Sequence, residues 1–171
     1  MVIVRQELPG DVQNVRCVVV GAFDRNDGAE PPEARLLDEL RKCDGWIPEL
    51  SLVAVIDGQV VGHAVCTRGF VGETPCLGLG PVAVAPGAQR SGVGSALMHT
   101  MLGTATGMGE PLIALLGSPD YYSRFGFRAS MESGIEPPDP DWGDYFQVRG
   151  LSDSEPGVCG VFAYADPFNA L

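Results

Sequence analysis

A glycine-rich turn is the segment of this sequence best suited to chemistry. It reads Gln-Arg-Ser-Gly-Val-Gly at residues 89–94, after a short apolar strand over residues 79–84 and before a predicted helix that starts near Ser95. Gly92 and Gly94 allow a sharp turn in which several N–H groups point the same way. The start of the helix adds unpaired N–H donors and the positive end of its dipole. The segment therefore predicts a binding site for a phosphate-bearing ligand.

The turn does not match the two commonest phosphate-binding loops. A kinase or ATPase loop needs a Gly-Lys-Ser/Thr sequence, but Lys42 is the only lysine in the chain and lies far from the turn. A dinucleotide loop needs a third glycine, and Leu97 occupies that position. The pattern that remains is Gln-x-x-Gly-x-Gly after a Val-Ala-Val strand.

A second segment, further along the chain, combines a buried strand with a short aromatic helix. Residues 112–116 read Leu-Ile-Ala-Leu-Leu and predict the strand. Ser118 is suited to be the N-cap of the helix, and Pro119 fits its first turn. The helix over residues 120–125 is expected to end at Gly126, which suits a terminating position.

Together the two segments resemble the GNAT superfamily of N-acetyltransferases. The Gln-x-x-Gly-x-Gly string resembles the acetyl-CoA-binding segment of that family. Residues 121–127, Tyr-Tyr-Ser-Arg-Phe-Gly-Phe, resemble its aromatic-Tyr-x-x-x-Gly-Phe hallmark. The two motifs occur in the order and at the separation found in the family. The Ser-Pro-x-Tyr-Tyr sequence is similar to that of a compact bacterial branch of predicted acetyltransferases.

The resemblance implies an α/β (α+β) fold, with one N-acetyltransferase domain spanning residues 1–171. Its central mixed sheet would have about seven strands, the fourth and fifth splayed apart, and about four flanking helices. The Asp57-Gly58 dipeptide independently predicts a hairpin, and the proline-rich residues 136–140 are incompatible with a helix or a central strand. The apolar pattern predicts strands over residues 2–7, 52–56, 60–66, 77–84, 112–116, 145–148 and 158–164, and helices over 9–23, 33–42, 95–107 and 120–125.

The resemblance also implies how acetyl-CoA, the cosubstrate, would be held. The backbone edge at Val82, Ala83 and Val84 would pair with the pantetheine arm, and N–H groups of residues 89–95 would hold the pyrophosphate. Arg124 and Arg128 are expected at the surface, where either could meet the adenosine 3′-phosphate. The full set of expected acetyl-CoA-binding residues is Val82, Ala83, Val84, Gln89, Arg90, Ser91, Gly92, Val93, Gly94, Ser95, Ser118, Tyr121 and Phe125.

Acetyl transfer requires a positioned thioester, a neutral amine and a proton for the departing thiolate. By the family spacing, Tyr122 lies four residues before the motif glycine and would be the general acid, whereas the Tyr121 ring is expected to pack. Some family members place a glutamate four residues before the Val-Ala-Val edge, but Gly78 stands there. The base is left open between a water chain and an amine that arrives neutral. His63, within an apolar strand, is expected to be a hydrogen-bonded core residue.

The leading hypothesis is direct acetyl transfer from acetyl-CoA to the primary amine of a small molecule. Two alternatives stay open: a CoA-binding regulatory or sensor module without turnover, and an O-acyltransferase or a user of longer acyl groups. The acceptor cannot be named, because this family builds acceptor pockets from variable loops, here about 24–32, 67–75 and 134–145.

Composition favours a cytoplasmic enzyme, for which a monomer and a homodimer both stay open. The chain has 171 residues, of which 45% are hydrophobic and 19% charged, which is typical of a globular domain. No apolar run of membrane-spanning length occurs, and the apolar start is too short for a signal peptide. A net charge of -11 argues against nucleic acid and anionic membranes and mildly favours a cationic substrate.

The cysteines indicate neither a disulfide framework nor a metal site. Five are present, an odd number, without Cys-x-x-Cys spacing. They are expected to be free and mostly buried thiols in a reducing compartment. We therefore expect no metal cofactor.

Overall fold

The computed structural model describes residues 1–151 and 157–171. The described part of the chain contains nine strands and four α-helices, with short 3-10 segments between them. In chain order they are β1 (Ile3–Gln6), α1 (Val12–Phe23), α2 (Pro32–Leu40), β2 (Trp46–Ile56), β3 (Gln59–Val71), β4 (Thr74–Val84), α3 (Val93–Gly107), β5 (Leu112–Leu116), α4 (Pro119–Tyr122), β6 (Arg128–Ala129), β7 (Ile135–Glu136), β8 (Phe146–Gly150) and β9 (Gly160–Ala163). The predicted α/β class is confirmed.

The strands form one mixed sheet in the order β1-β2-β3-β4-β5-β8-β6, with β9 beside the far end of β3 and β7 beside β9. Neighbours along the main path are antiparallel except β4 and β5, which run parallel. A parallel pair needs a crossover connection, and α3 supplies it between these two strands. The crossover places the beginning of α3 beside the end of β4.

β4 and β5 separate soon after they meet, as predicted for the splayed pair. They pair only at Leu77 with Ile113 and at Gly78 with Ala114, although β4 continues to Val84. Opposite β3, the register shifts by one residue where β4 passes through Gly80 and Pro81. A bulge of this kind bends a strand and increases its twist. The bend leaves the β5-facing edge of residues 82–84 without a strand partner among the described residues.

Helices cover both faces of the sheet and bury its apolar side chains. On one face α3 packs Leu97, Met98 and Met101 against the sheet, all fully buried. On the other face α1 packs Val15 and Val19 beside Ala83 and neighbouring strand residues. Burial of one such side chain contributes roughly 1.5–3 kcal/mol to the free energy of unfolding. These two layers fix the ends of α1, β4 and α3 relative to one another.

The predicted elements lie where they were expected and differ mainly in length, but the sheet has nine strands instead of about seven, because the two-residue strands β6 and β7 were not predicted. β5 has the predicted bounds, and Asp57 and Gly58 form the predicted hairpin turn with positive φ values of 49° and 78°. β2, β3 and β4 extend beyond their apolar runs. In the proline-rich stretch, Ile135–Glu136 pairs with β9 and Pro140 begins a 3-10 segment, Pro140–Tyr145. The segment shares only Pro140 with residues 136–140, where proline is accepted at a first helical position, and the rest of that stretch is neither helix nor central strand, as expected.

The expectation of mostly buried cysteines is wrong in part. Cys66 and Cys76 are buried, but Cys17 and Cys159 are exposed and Cys43 is half-buried; all five are free thiols.

Candidate active site

The glycine-rich turn presents a row of free backbone donors at the start of α3. Gly92 precedes the helix with a left-handed φ of 88°, and Arg90 also has a positive φ of 60°. Among the described residues, no N–H from Arg90 to Ser95 donates a hydrogen bond of ordinary geometry to the protein, and the ladder of α3 begins with Ala96 N–H donating to Gly92. Six neighbouring donors at a helix N-terminus suit a phosphate group.

The side chain of Gln89 ties this turn to the end of β4. Its Nε2 donates a hydrogen bond of 3.1 Å to the carbonyl oxygen of Val84. The turn and the free edge of β4 are therefore held side by side. A ligand that binds the N–H groups of the turn can extend along residues 82–84 of the strand.

Residue 94 must be a glycine because Tyr121 approaches its backbone closely, and not because of its φ angle. A Cβ built on Gly94 would lie 2.7 Å from the hydroxyl oxygen of Tyr121. The ring of Tyr121 is held between Tyr122 and Phe125 by edge-to-face contacts, with the Arg124 guanidinium 4.8 Å from its centre. α4 and the start of α3 thus meet at Gly94 without a side chain between them.

A cavity of about 630 Å³ lies in front of the turn. Its walls come from the end of α1, the end of β4, the turn and the short α4. Nine of the residues predicted from the sequence line it: Val82, Val84, Gln89, Arg90, Gly92, Gly94, Ser95, Tyr121 and Tyr122. Ala22, Phe23 and Arg124 complete it, and no sequence signal selected the first two.

The other five predicted side chains lie elsewhere. Ala83 and Val93 are buried in the packing layers on the two faces of the sheet, although their backbone belongs to the strand edge and the turn. The Ser91 hydroxyl donates to the Ala88 carbonyl. Ser118 is exposed and makes no side-chain cap bond, so its expected capping hydrogen bond is missing. Phe125 is buried between Tyr121 and the ring of His99.

Tyr122 lies deeper than Tyr121 and packs directly against the backbone after β5. A Cβ on Gly117 would come within 2.5 Å of Tyr122 Cε2. Phe127 and Tyr121 both make edge-to-face contacts with the ring. Burial raises the pKa of the Tyr122 phenol to about 12, and the neighbouring Tyr121 adds to the rise. The phenol is therefore a proton or hydrogen-bond donor throughout the neutral and moderately alkaline range.

A second cavity, of about 710 Å³, also reaches Tyr122. It lies between the parted strands and the C-terminal segment, and aromatic rings form much of its wall. Phe23, Val82 and Tyr122 line both cavities and so mark where the two meet. None of its lining residues comes from the expected loops 24–32 and 67–75; only the third expected loop contributes, through Pro138, Asp139 and Trp142.

Gly78, the position at which the resemblance allowed for a glutamate, is covered by an aromatic ring. A Cβ on Gly78 would lie 2.6 Å from Tyr164 Cδ1, and the Tyr164 ring stacks on Phe168 with 4.4 Å between ring centres. His63 is fully buried and its Nε2 lies 2.9 Å from Ser51 Oγ and 3.3 Å from Glu7 Oε2. His63 is thus a hydrogen-bonded core residue, and neither position supplies a base to the cavities.

Comparison with known proteins identifies the family to which the chain belongs. The model of the acetyltransferase (GNAT) family matches residues 22–127, which include β4, the turn, α3, β5 and α4. The chain belongs to the GNAT acetyltransferase family. The match contains the free edge, the row of N–H donors and Tyr122.

Relatives extend the likeness over the whole chain. The uncharacterized N-acetyltransferase YhbS of Escherichia coli strain K12 is 31% identical over 171 residues, covering 98% of each chain. YjhQ of the same strain, also an uncharacterized N-acetyltransferase, is 35% identical over 165 residues, covering 92% of this chain and 88% of its own.

Two solved structures share the fold and contain the expected ligand class. The crystal structure of YhbS from Escherichia coli in complex with CoA has a TM-score of 0.89 at 28% identity, covering 98% of this chain and 92% of that chain. A GNAT acetyltransferase from Brucella melitensis, in complex with acetyl-CoA, has a TM-score of 0.80 at 33% identity and 98% coverage of both chains.

Neither a metal-binding cluster nor a membrane-spanning helix is found in the described residues. Within residues 1–151 and 157–171, no three His, Cys, Asp or Glu side chains gather closely enough to hold a metal ion. In the same ranges no helix has the length and apolar character needed to cross a membrane.

Proposed function

We propose that this GNAT protein transfers an acetyl group directly from acetyl-CoA to the amine of a small molecule, with Tyr122 as general acid. The observation that carries the proposal is the meeting of two cavities at Phe23, Val82 and Tyr122. The 630 Å³ cavity contains the donors for a phosphate ligand, and the 710 Å³ cavity has room for an acceptor. The reacting atoms then meet beside the phenol of Tyr122.

The smaller cavity suits acetyl-CoA in both charge and shape. Free N–H groups from Arg90 to Ser95 hold the pyrophosphate, and the unpaired edge of residues 82–84 hydrogen-bonds the amide groups of the pantetheine arm. Because this edge runs from the turn toward the Tyr122 ring, the arm delivers its thioester to the junction of the cavities. The CoA and acetyl-CoA complexes of two relatives support the assignment.

The proton balance of the reaction defines the role of Tyr122. The amine nitrogen attacks the thioester carbonyl carbon, the C–N bond forms, and the C–S bond breaks with its electron pair left on sulfur. The nitrogen loses a proton and the sulfur gains one, so the net movement is from nitrogen to sulfur. Tyr122 donates a hydrogen bond, and then its proton, to the departing sulfur; the proton released from nitrogen restores the phenol.

In this proposal no protein side chain acts as the general base. A glycine at position 78, covered by Tyr164, leaves no carboxylate on β4 beside the acyl group. The amine therefore arrives neutral or releases its proton through water. Positioning two reactants in one cleft is worth up to about 7–11 kcal/mol of the barrier, so turnover does not depend on a dedicated base.

The direct test is release of the CoA thiol from acetyl-CoA, with a panel of primary amines, alcohols and amino acids offered to the purified chain. We expect thiol release that depends on an amine, together with an acetylated amine detected by mass spectrometry. Binding of CoA by calorimetry, with no acceptor turned over, would favour the sensor alternative. Transfer to alcohols only would favour O-acyl transfer.

A further inference from the structure

The lining of the 710 Å³ cavity is unusually rich in aromatic rings. Six aromatic residues contribute to it, from α1, α4, the Pro140–Tyr145 segment, β9 and the C-terminal segment: Phe23, Tyr122, Trp142, Phe162, Tyr164 and Phe168. Apolar groups of Leu36, Leu79 and Leu115 fill the space between them. A polar or strongly hydrated acceptor would lose water here without finding enough partners. The walls suit a ligand with an apolar, flat or flexible body.

All the charged residues that line this cavity are acidic. Glu33, Asp139 and Asp166 contribute to the cavity, and no Lys, Arg or His does so. Asp139 and Asp166 are exposed, so they act on the entrance. An anionic group on a ligand would meet repulsion and have no cation to pair with, whereas an ammonium would meet carboxylates and aromatic faces, both of which attract it.

Glu33 is the most enclosed of the three carboxylates and is incompletely paired. It lies in the first turn of α2, and its side chain is 20% exposed. Its Oε2 is buried and has no hydrogen-bond donor among the described residues. The only ion pair of its Oε1 in the described part of the chain is with Arg25, 3.6 Å away on an exposed side chain. Glu33 lines the cavity and its side chain is partly exposed, so the carboxylate can accept from a ligand there through Oε1, or through Oε2 after a side-chain rotation that brings this oxygen to the cavity surface.

We infer that the 710 Å³ cavity takes a hydrophobic primary amine without any anionic group, such as an arylalkylamine, and that Glu33 binds its ammonium on arrival. The inference rests on the proposed function for the role of this cavity as the acceptor site. It narrows the acceptor class by excluding α-amino acids and phosphorylated amines, whose negative charges find no partner. Glu33 determines specificity and takes no part in the acyl transfer itself. Of the two routes given under the proposed function, the bound ammonium therefore follows the second: it releases its extra proton through water, and the neutral nitrogen then attacks the thioester.

The first experiment compares three probes that differ in one feature each. 2-Phenylethylamine has both the ammonium and the aromatic body, phenylalanine adds a carboxylate, and ethylamine lacks the ring. We expect kcat/KM for 2-phenylethylamine to exceed that for phenylalanine by about 100-fold and that for ethylamine by about 10-fold. The larger factor applies to phenylalanine because burying its carboxylate without a cationic partner costs more free energy than losing the ring contacts that ethylamine lacks. Preference for phenylalanine or for ethylamine would overturn the inference.

The second experiment removes the charge of Glu33. In Glu33→Gln we expect KM for 2-phenylethylamine to rise about 10-fold or more, because a charge-assisted hydrogen bond is lost. We expect kcat and the affinity for CoA to stay close to wild type. Glu39→Gln is the matched control: the residue lies on the same helix, pairs with Lys42 at the surface and is absent from the cavity lining. A fall in kcat at unchanged KM, or an equal effect in the control, would contradict the role of Glu33.

Binding measured without turnover separates this inference from the proposed function. 2-Phenylethylamine is titrated calorimetrically into wild type and Glu33→Gln, each saturated with CoA and each checked by its melting temperature. Binding that weakens in Glu33→Gln supports the amine cavity even if no acetyl transfer occurs. Acetyl transfer to hydrophilic or anionic amines, with no binding of 2-phenylethylamine, leaves the transferase proposal standing and overturns the amine cavity.

Discussion

The ring of Tyr122 rests on the α-carbon of Gly117, at a distance that leaves no room for a side chain. A Cβ on Gly117 would lie 2.5 Å from Tyr122 Cε2 and 2.9 Å from Cδ2. Hydrogen bonds hold the glycine from both sides: its N–H donates 2.9 Å to the Tyr145 carbonyl, and its carbonyl accepts 2.9 Å from Gln147 Nε2. The backbone at residue 117 therefore fixes the position of the phenol.

Gly117→Ala is expected to displace the Tyr122 ring and to lower turnover. A shift of about 1 Å at a reacting group costs on the order of 100-fold in rate, so we expect kcat to fall by about 10- to 100-fold. Affinity for CoA should change little, because the phosphate donors lie in the turn before α3. Steady-state kinetics and calorimetry measure the two effects. Gly103→Ala, with open space around it on α3, is the control and should leave kcat unchanged. Equal kcat in both variants would contradict the role of Gly117.

Gly94→Ala is expected to weaken CoA binding. The added Cβ would meet the Tyr121 hydroxyl at 2.7 Å, and Gly94 lines the smaller cavity within the row of N–H donors. We expect the Kd for CoA to rise about 10-fold or more, because phosphate contacts through backbone N–H groups need close approach. Calorimetric titration checks this, again beside Gly103→Ala. Native affinity in Gly94→Ala would place the pyrophosphate elsewhere.

Much of the site could be predicted because the residues that form it lie close together in two short segments of the sequence. The turn at residues 89–94 and the aromatic segment at 121–127 carry their own conformational signals, and the structure brings them together at Gly94 and Tyr121. The bounds of β5 followed from a continuous apolar run. β2 instead begins at Trp46, within a stretch containing Pro48 and exposed residues, because pairing with β3 rather than burial defines it there.

The larger cavity could not be predicted in the same way. Phe23, Glu33 and Tyr164 come from distant parts of the chain and meet only through tertiary packing. Residue spacing contains no signal for such a meeting. The resemblance implied an acceptor pocket built from surface loops, whereas strands, helix ends and the C-terminal segment form most of the wall. Glu33 was unremarkable in the sequence, and only its buried, unpaired oxygen distinguishes it.

A buried polar cluster joins β1 to the sheet and to α2. Glu7 accepts hydrogen bonds from Arg41 and from the Ser51 hydroxyl, and His63 Nε2 lies 3.3 Å from its Oε2. Burial acts to raise the pKa of Glu7, but the hydrogen bonds with His63 and Ser51 and the charge of Arg41 outweigh it and lower the pKa to about 2. The ionised carboxylate is thus favoured by folding.

Glu7→Gln is expected to destabilise the fold in a pH-dependent manner. Because the folded pKa is below the ordinary value of 4.5, the stabilisation by Glu7 is present above about pH 4.5 and is lost as the pH falls toward 2. We expect a loss of about 3 kcal/mol at pH 7 that shrinks in acid. Urea denaturation at several pH values measures it, with exposed Glu49→Gln as the control. A difference that grows in acid would refute the assignment.

The raised pKa of Tyr122 predicts the shape of the alkaline pH profile. Burial raises that pKa to about 12, so the phenol keeps its proton through the usual assay range. With a saturating amine, kcat should not decline between about pH 7 and about pH 10. Stopped assays across this range measure it. An alkaline decline that disappears in Tyr122→Phe would show that the phenol titrates earlier.

Replacement of Tyr122 by phenylalanine tests the central claim most directly. Only the hydroxyl is removed, so the fold and the Kd for CoA should be retained while kcat falls by about 100- to 10,000-fold. Tyr121→Phe is the matched control, since it removes the neighbouring hydroxyl at Gly94, and its kcat should fall far less. The measurement is steady-state turnover of acetyl-CoA with an amine that the wild type accepts, with CoA calorimetry on each variant. A kcat of Tyr122→Phe equal to that of wild type would contradict Tyr122 as the general acid.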